Sequence, residues 1–279
     1  MDLNIRSTIA LNNGVAMPRL GLGVFRAKDG EETVQAVRWA LEAGYRHIDT
    51  AAVYGNEEGV GRGIRESGLA RGDVFLTTKL WNDDMRADRQ REAFENSLNR
   101  LGTDYVDLYL IHWPVKQKYS ESWLVLEQLY KEGLVRAIGV SNFLPHHLDD
   151  LMKAATVVPA VNQAECHPRL SQAPLKAVCD QLGIVFESWS PLGGSRDGNL
   201  ASNPELASIG KAYGKTAAQV TLRWHLQKGF AVIPKSVHRD RIIANGDLFD
   251  FSLNAADMAA IDGMNRDQRV GAHPDTFPF

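Results

Sequence analysis

The stretch Arg46-His47-Ile48-Asp49-Thr50-Ala51-Ala52-Val53-Tyr54-Gly55 carries an apolar strand into a loop and leaves a carboxylate and a phenol five positions apart. Two later stretches also end in a reactive side chain. Val74-Phe75-Leu76-Thr77-Thr78-Lys79 delivers an ammonium, and Val106-Asp107-Leu108-Tyr109-Leu110-Ile111-His112-Trp113-Pro114 delivers an imidazole. Strands that keep presenting polar groups at their C-terminal ends are the pattern of a parallel barrel, whose reacting residues gather at one rim.

The rhythm extends along the chain. Apolar strand-like segments recur at 19–25, 45–50, 74–80, 106–112, 137–141, 160–164, 184–188 and 231–235, mostly separated by helix-period segments such as 33–43 and 91–100. Gly44 and Gly102 supply helix stops, and Pro145 suits a first helical turn after Ser141-Asn142-Phe143. Eight such alternations, without a Pro/Ser-rich linker, predict an α/β fold: one (β/α)8 TIM barrel domain over 1–279. An open doubly wound sheet is the alternative. It is weakened at Gly21-Leu22-Gly23-Val24-Phe25-Arg26, where Arg26 occupies the place of the third glycine of a dinucleotide fingerprint. Segments 7–11 and 15–18, joined by Asn12-Asn13-Gly14, predict an N-terminal β-hairpin that plugs the barrel from below. Helical stretches at 204–213 and 217–227 precede strand eight. Additional C-terminal helices at 239–245 and 255–262 lead into an aromatic tail ending Phe277-Pro278-Phe279.

Composition excludes several classes. A net charge of −3 and a pI near 6.2 give no basic footprint for nucleic acid or anionic lipid, and no apolar run approaches a membrane span. The reading is a cytoplasmic protein with no nucleic-acid or membrane partner. Cys166 and Cys179, the only two cysteines, are too few for a disulfide framework and have no His at metal-ligand spacing; no metal is expected. No apolar stripe on the outer helices asks for a partner, so a monomer is expected.

At one rim, Asp49, Tyr54, Lys79 and His112 have a joint chemistry. A phenol releases its proton near pH about 10; a neighbouring ammonium favours phenolate, and a carboxylate holds the ammonium in place. Tyr54 is then a proton donor to a carbonyl oxygen, Lys79 its tuner, Asp49 the anchor of Lys79, and His112 a second donor that orients the carbonyl. No side chain supplies hydride, so carbonyl reduction here requires a nicotinamide.

The chain resembles the aldo-keto reductase family over essentially its whole length. The resemblance is carried in order by Gly44 to Ala51 with Tyr54-Gly55-Asn56-Glu57, by Thr78-Lys79-Leu80-Trp81 and Ile111-His112-Trp113-Pro114, and by Gly139-Val140-Ser141-Asn142-Phe143 and Ile233-Pro234-Lys235-Ser236. It looks most like the compact bacterial members of the 2,5-diketo-D-gluconate reductase type. The resemblance implies a catalytic tetrad of Asp49, Tyr54, Lys79 and His112, and NADPH/NADP+ bound extended across the barrel mouth. It also implies that Ser141, Asn142 and Gln163 meet the nicotinamide carboxamide, and that Trp189 stacks on the ring. Ser190 and Leu192 would lie in a pyrophosphate loop; Lys235, Ser236 and Arg241 would form a 2′-phosphate site, with Asn245 near the adenine. Trp189 stands where many relatives have Tyr, and Ala244 where many have an acidic residue. Phe25, Trp81, Trp113 and Phe279 are candidates for the substrate pocket wall.

Other readings of single residues remain. Gly59-Val60-Gly61-Arg62-Gly63 resembles a phosphate loop but reads better as a close-packed helix face. His146-His147 read as a helix start rather than a metal site. Asp107 and Glu187, on strands, are balanced between structural hydrogen bonds and function. The predicted activity is reduction of aldehydes and ketones, with small dicarbonyls, sugar-derived ketoacids such as 2,5-diketo-D-gluconate and aromatic aldehydes as candidate small-molecule substrates. An NADPH-binding regulatory barrel without significant turnover is the alternative. A glycoside hydrolase is disfavoured, because that chemistry needs two facing carboxyl groups and this rim offers one Asp tied to a Lys.

Overall fold

A computed structural model of the chain describes residues 3–194 and 199–277. It begins with an antiparallel hairpin, β1 (Thr8–Ala10) and β2 (Ala16–Pro18), turned at Asn13-Gly14, where Gly14 has φ 84°. Then follow β3 (Leu22–Gly23), α1 (Glu31–Glu42), β4 (His47–Asp49), α2 (Glu57–Glu66), β5 (Phe75–Leu80), α3 (Asn82–Arg86) and α4 (Gln90–Leu101). The middle of the chain supplies β6 (Val106–Ile111), α5 (Tyr119–Lys131), β7 (Val135–Ser141), α6 (Pro145–Met152), β8 (Val161–Glu165), α7 (Ala173–Leu182) and β9 (Val185–Trp189). Two successive helices, α8 (Pro204–Lys211) and α9 (Ala217–Gln227), precede β10 (Ala231–Val232), and α10 (Arg239–Gly246) and α11 (Ala255–Asp262) complete the order.

Strands β3 to β10 pair in parallel in chain order. The ring closes between its first and last members: Gly21 donates to Val232 O at 2.9 Å, Gly23 to Pro234 O at 3.1 Å, and Val232 to Arg19 O at 2.8 Å. The expected (β/α)8 barrel is therefore the fold. Its end strands are shorter than their apolar runs, because only a few residues of each stay in register at the closure.

Alternation along each strand sorts the barrel into two environments. One set packs the helices against the outside of the sheet, with Ile48, Leu76, Tyr109, Ile111, Val140 and Phe186 among its buried members. The other fills the bottom of the lumen, where Leu11 and Met17 from the hairpin side meet Phe75, Leu108, Leu110, Val161, Val185 and Ala231. The hairpin plug is thus the floor of the barrel. Two residues further along the same strands the inward positions turn polar: His47 and Asp49, Thr77 and Lys79, Gln163, Glu187. An apolar floor therefore carries a polar layer just below the mouth. The glycine-rich run 59–63 lies inside α2, and a Cβ on Gly61 would stand 1.9 Å from the Leu101 carbonyl oxygen, so these glycines permit close helix crossing. Cys166 and Cys179 are buried and unbridged.

Candidate active site

Four residues from three neighbouring strands meet at the C-terminal rim. Lys79 Nζ lies 2.7 Å from Asp49 Oδ1, donates to the Thr50 carbonyl at 2.7 Å, and reaches the Tyr54 hydroxyl at 3.5 Å. The His112 ring sits edge-on to Tyr54 with centroids 5.6 Å apart. Asp49 and Lys79 are essentially without solvent exposure. A buried ion pair of this kind holds only while both members are present, since removing one strands a desolvated charge.

The loop carrying Tyr54 is fixed by residues to which the sequence reading assigned no role. A single helical turn, Ala52–Tyr54, ends at Gly55 with φ 65°, which directs the chain back under the barrel lip. Buried Asn56 accepts from Thr50 Oγ1 at 2.8 Å and donates to the carbonyls of Val24 and Ala27 at 2.9 and 3.1 Å. Glu57 accepts from Thr78 Oγ1 at 2.6 Å and Arg100 Nε at 2.7 Å. The loops after β3 and β4 and the strand bearing Lys79 are thereby tied together. The sequence signal for Asn56 and Glu57 was two polar residues directly after a turn glycine, inside the Tyr54-Gly55-Asn56-Glu57 block.

Burial disfavours charge on Lys79, but the Asp49 carboxylate more than offsets it and holds the amine above its ordinary range. Burial pushes the Asp49 carboxyl up, with Lys79 pulling it back. For Tyr54 the balance differs from the expectation. Burial raises the phenol, Lys79 lowers it and Asp49 raises it, and the net direction is upward. The ammonium acts with the anticipated sign yet is outweighed, so Tyr54 holds its proton as a hydrogen-bond donor. Burial, then the charge of Lys79, keeps His112 well below the usual imidazole range and hence neutral near pH about 7.

Beside this group the ends of β7, β8 and β9 form an amide-rich wall. Asn142 adopts φ 64°, a left-handed turn that Asn tolerates. Its Nδ2 donates to the His112 carbonyl at 2.9 Å and to Ser141 Oγ at 3.1 Å, while its Oδ1 accepts from Trp189 Nε1 at 2.9 Å. Ser141 Oγ donates to the Gln163 carbonyl at 2.9 Å. Gln163 Nε2 donates to both Asp49 Oδ2 and Glu187 Oε2 at 2.8 Å, which leaves its Oε1 for a ligand. Ser190 (φ 47°) and half-buried Leu192 form the turn after β9. Across the mouth, Lys235 and Arg241 are exposed, and among the described residues neither makes an ion pair. Ser236 Oγ accepts from the His238 amide at 3.1 Å, which shapes the turn into α10, where Asn245 is buried.

Comparison with known proteins decides what this rim belongs to. The model of the Aldo/keto reductase family matches residues 19–266. The chain belongs to the aldo/keto reductase family. It is 52% identical to the glyoxal reductase of Bacillus subtilis (strain 168) over the full length of both chains. It is 51% identical to the 9,11-endoperoxide prostaglandin H2 reductase of Trypanosoma cruzi, covering 96% of this chain and 95% of that one. Among solved structures it is similar to the Bombyx mori aldo-keto reductase in complex with NADP, with a TM-score of 0.90, 40% identity, and coverage of 96% and 95%. The reductase is thus an oxidoreductase by family.

An aromatic wall surrounds the reductase's tetrad. Phe25, half-exposed, lies 5.0 Å from the Tyr54 ring, Trp81 5.2 Å from His112, and Trp113 stacks on Phe277 at 4.3 Å with planes 6° apart. The tail therefore contributes Phe277; Phe279, the sequence candidate, lies outside the described residues. The tail is anchored by Glu165, whose two carboxylate oxygens accept from the Val270 and Gly271 amides at 2.6 and 3.0 Å. Gly271 is required by close approach, because a Cβ there would stand 2.4 Å from the Trp189 ring. Farther along, His146 and His147 both point Nε2 at Asp275 Oδ1, at 3.0 and 3.2 Å. They thus do more than start a helix. Although these three side chains could gather around a metal, His147 Nδ1 accepts the Leu144 amide at 3.1 Å, so a neutral ring carries its proton on Nε2, where a metal would need the lone pair. Burial and then the neighbouring His146 hold His147 down at about 4, which keeps the ring neutral and the latch a hydrogen bond.

Proposed function

We propose that this reductase uses NADPH to reduce aldehydes and ketones to alcohols, with Asp49, Tyr54, Lys79 and His112 as the reacting group. The observation that carries the reading is the convergence of a proton-holding phenol, an ion-paired ammonium and a neutral imidazole on one rim. When bound, NADPH would supply the hydride that a carbonyl carbon needs. Tyr54 gives its hydroxyl proton to the carbonyl oxygen, and Lys79, kept charged by Asp49, stabilises the phenolate left behind. Neutral His112 hydrogen-bonds the same oxygen and sets its direction.

The chain's own residues fit the cofactor. Gln163 Oε1, whose amide N–H groups are both turned inward, presents an acceptor for a carboxamide N–H, with the Asn142 and Ser141 oxygens beside it, and the Trp189 face is held by its N–H bond to Asn142. Ser190 and Leu192, in the turn after β9, would hold the pyrophosphate, and Asn245 of α10 would face the adenine. Lys235 and Arg241, cations without ionic partners among the described residues, suit a 2′-phosphate, whereas Lys215 and Lys228 are each tied to Asp residues. The aromatic wall of Phe25, Trp81, Trp113 and Phe277, together with the identity to a glyoxal reductase, favours small dicarbonyls as substrates; 2,5-diketo-D-gluconate and aromatic aldehydes follow. The same reading takes 1–279 as one domain, monomeric and cytoplasmic. Among the described residues no helix is long and apolar enough to cross a membrane.

The test is NADPH oxidation with glyoxal, methylglyoxal, 4-nitrobenzaldehyde and 2,5-diketo-D-gluconate as alternative substrates. Turnover with the dicarbonyls leading supports the reading. Tight NADPH binding with no turnover on any of the four returns the chain to the regulatory alternative.

A further inference from the structure

Below the tetrad the buried polar layer holds more acid than base. Glu187, fully buried in the middle of β9, accepts from Gln163 Nε2 through Oε2 at 2.8 Å. Its Oε1 has no hydrogen-bond partner among the described residues and lies 3.6 Å from His47 Nδ1. The titratable groups that face it are Asp49 and His47 of β4 and Lys79 of β5. Its sheet neighbours β8 and β10 present Gln163 and Ala231. His47 donates no charge, since burial and then Lys79 push it down to about 3. Two carboxyl groups therefore share one ammonium, and Lys79 is spoken for by Asp49 at 2.7 Å.

A desolvated carboxylate beside another carboxylate takes up a proton before it tolerates the charge. Burial, then Asp49, raise Glu187 to about 8. A proton on Glu187 is accommodated on Oε1, the oxygen that accepts nothing and lies 3.6 Å from His47 Nδ1, while His47 Nε2 lies 3.0 Å from Thr77 Oγ1. Gln163 is the link to the mouth: with both N–H groups drawn inward by Asp49 and Glu187, its amide has one orientation, carbonyl outward.

We propose that Glu187 is a positioning residue that fixes Gln163 and acts as a proton-linked charge beneath the nicotinamide site, so that its ionisation favours the oxidised cofactor over the reduced one. The inference rests on the NADPH reading above. Ionised Glu187 attracts the positively charged oxidised ring and leaves the neutral reduced ring nearly unaffected. Linkage is reciprocal, so binding of NADP+ must expel the Glu187 proton to the same extent.

The experiment compares wild type with Glu187→Gln, which keeps the size and the acceptor for Gln163. Nucleotide binding is followed by calorimetry in buffers of different ionisation enthalpy, and the nucleotide-free protein is titrated by infrared spectroscopy for a protonated-carboxyl C=O band. In wild type, NADP+ binding near neutral pH should release a proton and NADPH binding should not. The NADP+ affinity relative to NADPH should rise on the order of tenfold between about pH 6.5 and about pH 9. Glu187→Gln should abolish both effects. The carboxyl band should disappear with an apparent midpoint near 8 in wild-type protein, a readout that stands if the variant fails to fold. Equal proton release in the two proteins, or a Glu187 ionised throughout that range, would overturn the proposal while leaving the reductase intact. Failure of either nucleotide to bind overturns it together with the cofactor reading.

Discussion

Asp107 and Glu187 are both buried acids on barrel strands, yet they live in opposite economies of charge. At the hairpin end, Asp107 accepts from the Leu76 amide at 2.9 Å and from the guanidiniums of Arg136 and Arg71 at 2.6 and 2.9 Å, so one carboxylate has two cations. At the mouth end, Asp49 and Glu187 have one ammonium between them. Where every charge is matched, the group secures the fold. Where the count is short, a proton must make up the difference, and a proton can be exchanged. The contrast places stability at the closed end of the barrel and reactivity at the open one.

The comparison is broken most severely at the rim. Tyr54→Phe should lower kcat on the order of a hundredfold or more, because general acid catalysis is typically of that size, while thermal stability barely moves. Asp107→Ala should do the reverse. Loss of a buried, doubly paired carboxylate should cost about 3 kcal/mol in denaturant unfolding, with kcat of the folded enzyme within about twofold of wild type. Replacing Lys235 and Arg241 together by Ala should reduce the preference for NADPH over NADH on the order of tenfold, measured as the ratio of cofactor Kd values, since charge-assisted hydrogen bonds carry most of phosphate recognition. Asp275→Ala should free the tail that carries Phe277 and raise KM for aromatic aldehydes roughly threefold, as expected when a stacked pair is lost, with little change in kcat.

The smallest effect lies in pH. Glu187 has a folded value near 8, above its ordinary 4.5, so its proton stabilises the fold fully below about 4.5, and that contribution is lost as pH climbs to about 8. Wild type should therefore lose thermal stability relative to Glu187→Gln over that interval. A constant difference would mean that the proton is not held there.

Much of this was legible from residues alone. Asp49, Tyr54, Lys79 and His112 could be grouped because each follows a strand whose period and C-terminal end were visible, and parallel strands leave their ends on one rim. The hairpin plug followed from Asn13-Gly14, and the glycines of α2 from their place in a helical repeat. Less visible were quantities that depend on how many groups share one space. The sequence put Lys79 near Tyr54 but not the burial that outweighs it, so the direction of the phenol's shift was missed. Glu187 was seen as a strand acid, but its count of partners required Gln163 and His47 to be brought beside it from β8 and β4. Phe277 went unnamed as a wall residue because a loop-like tail has no period to say that its ring turns inward. His146 and His147 do open α6, as read, but their shared partner Asp275 lies more than a hundred residues away and left no local signal.

The most direct test of the account is the single-turnover and steady-state oxidation of NADPH by wild type and Tyr54→Phe at saturating glyoxal, with NADPH Kd measured for both. The account predicts that Kd stays within about twofold while turnover falls on the order of a hundredfold. Near-wild-type turnover in Tyr54→Phe would contradict it.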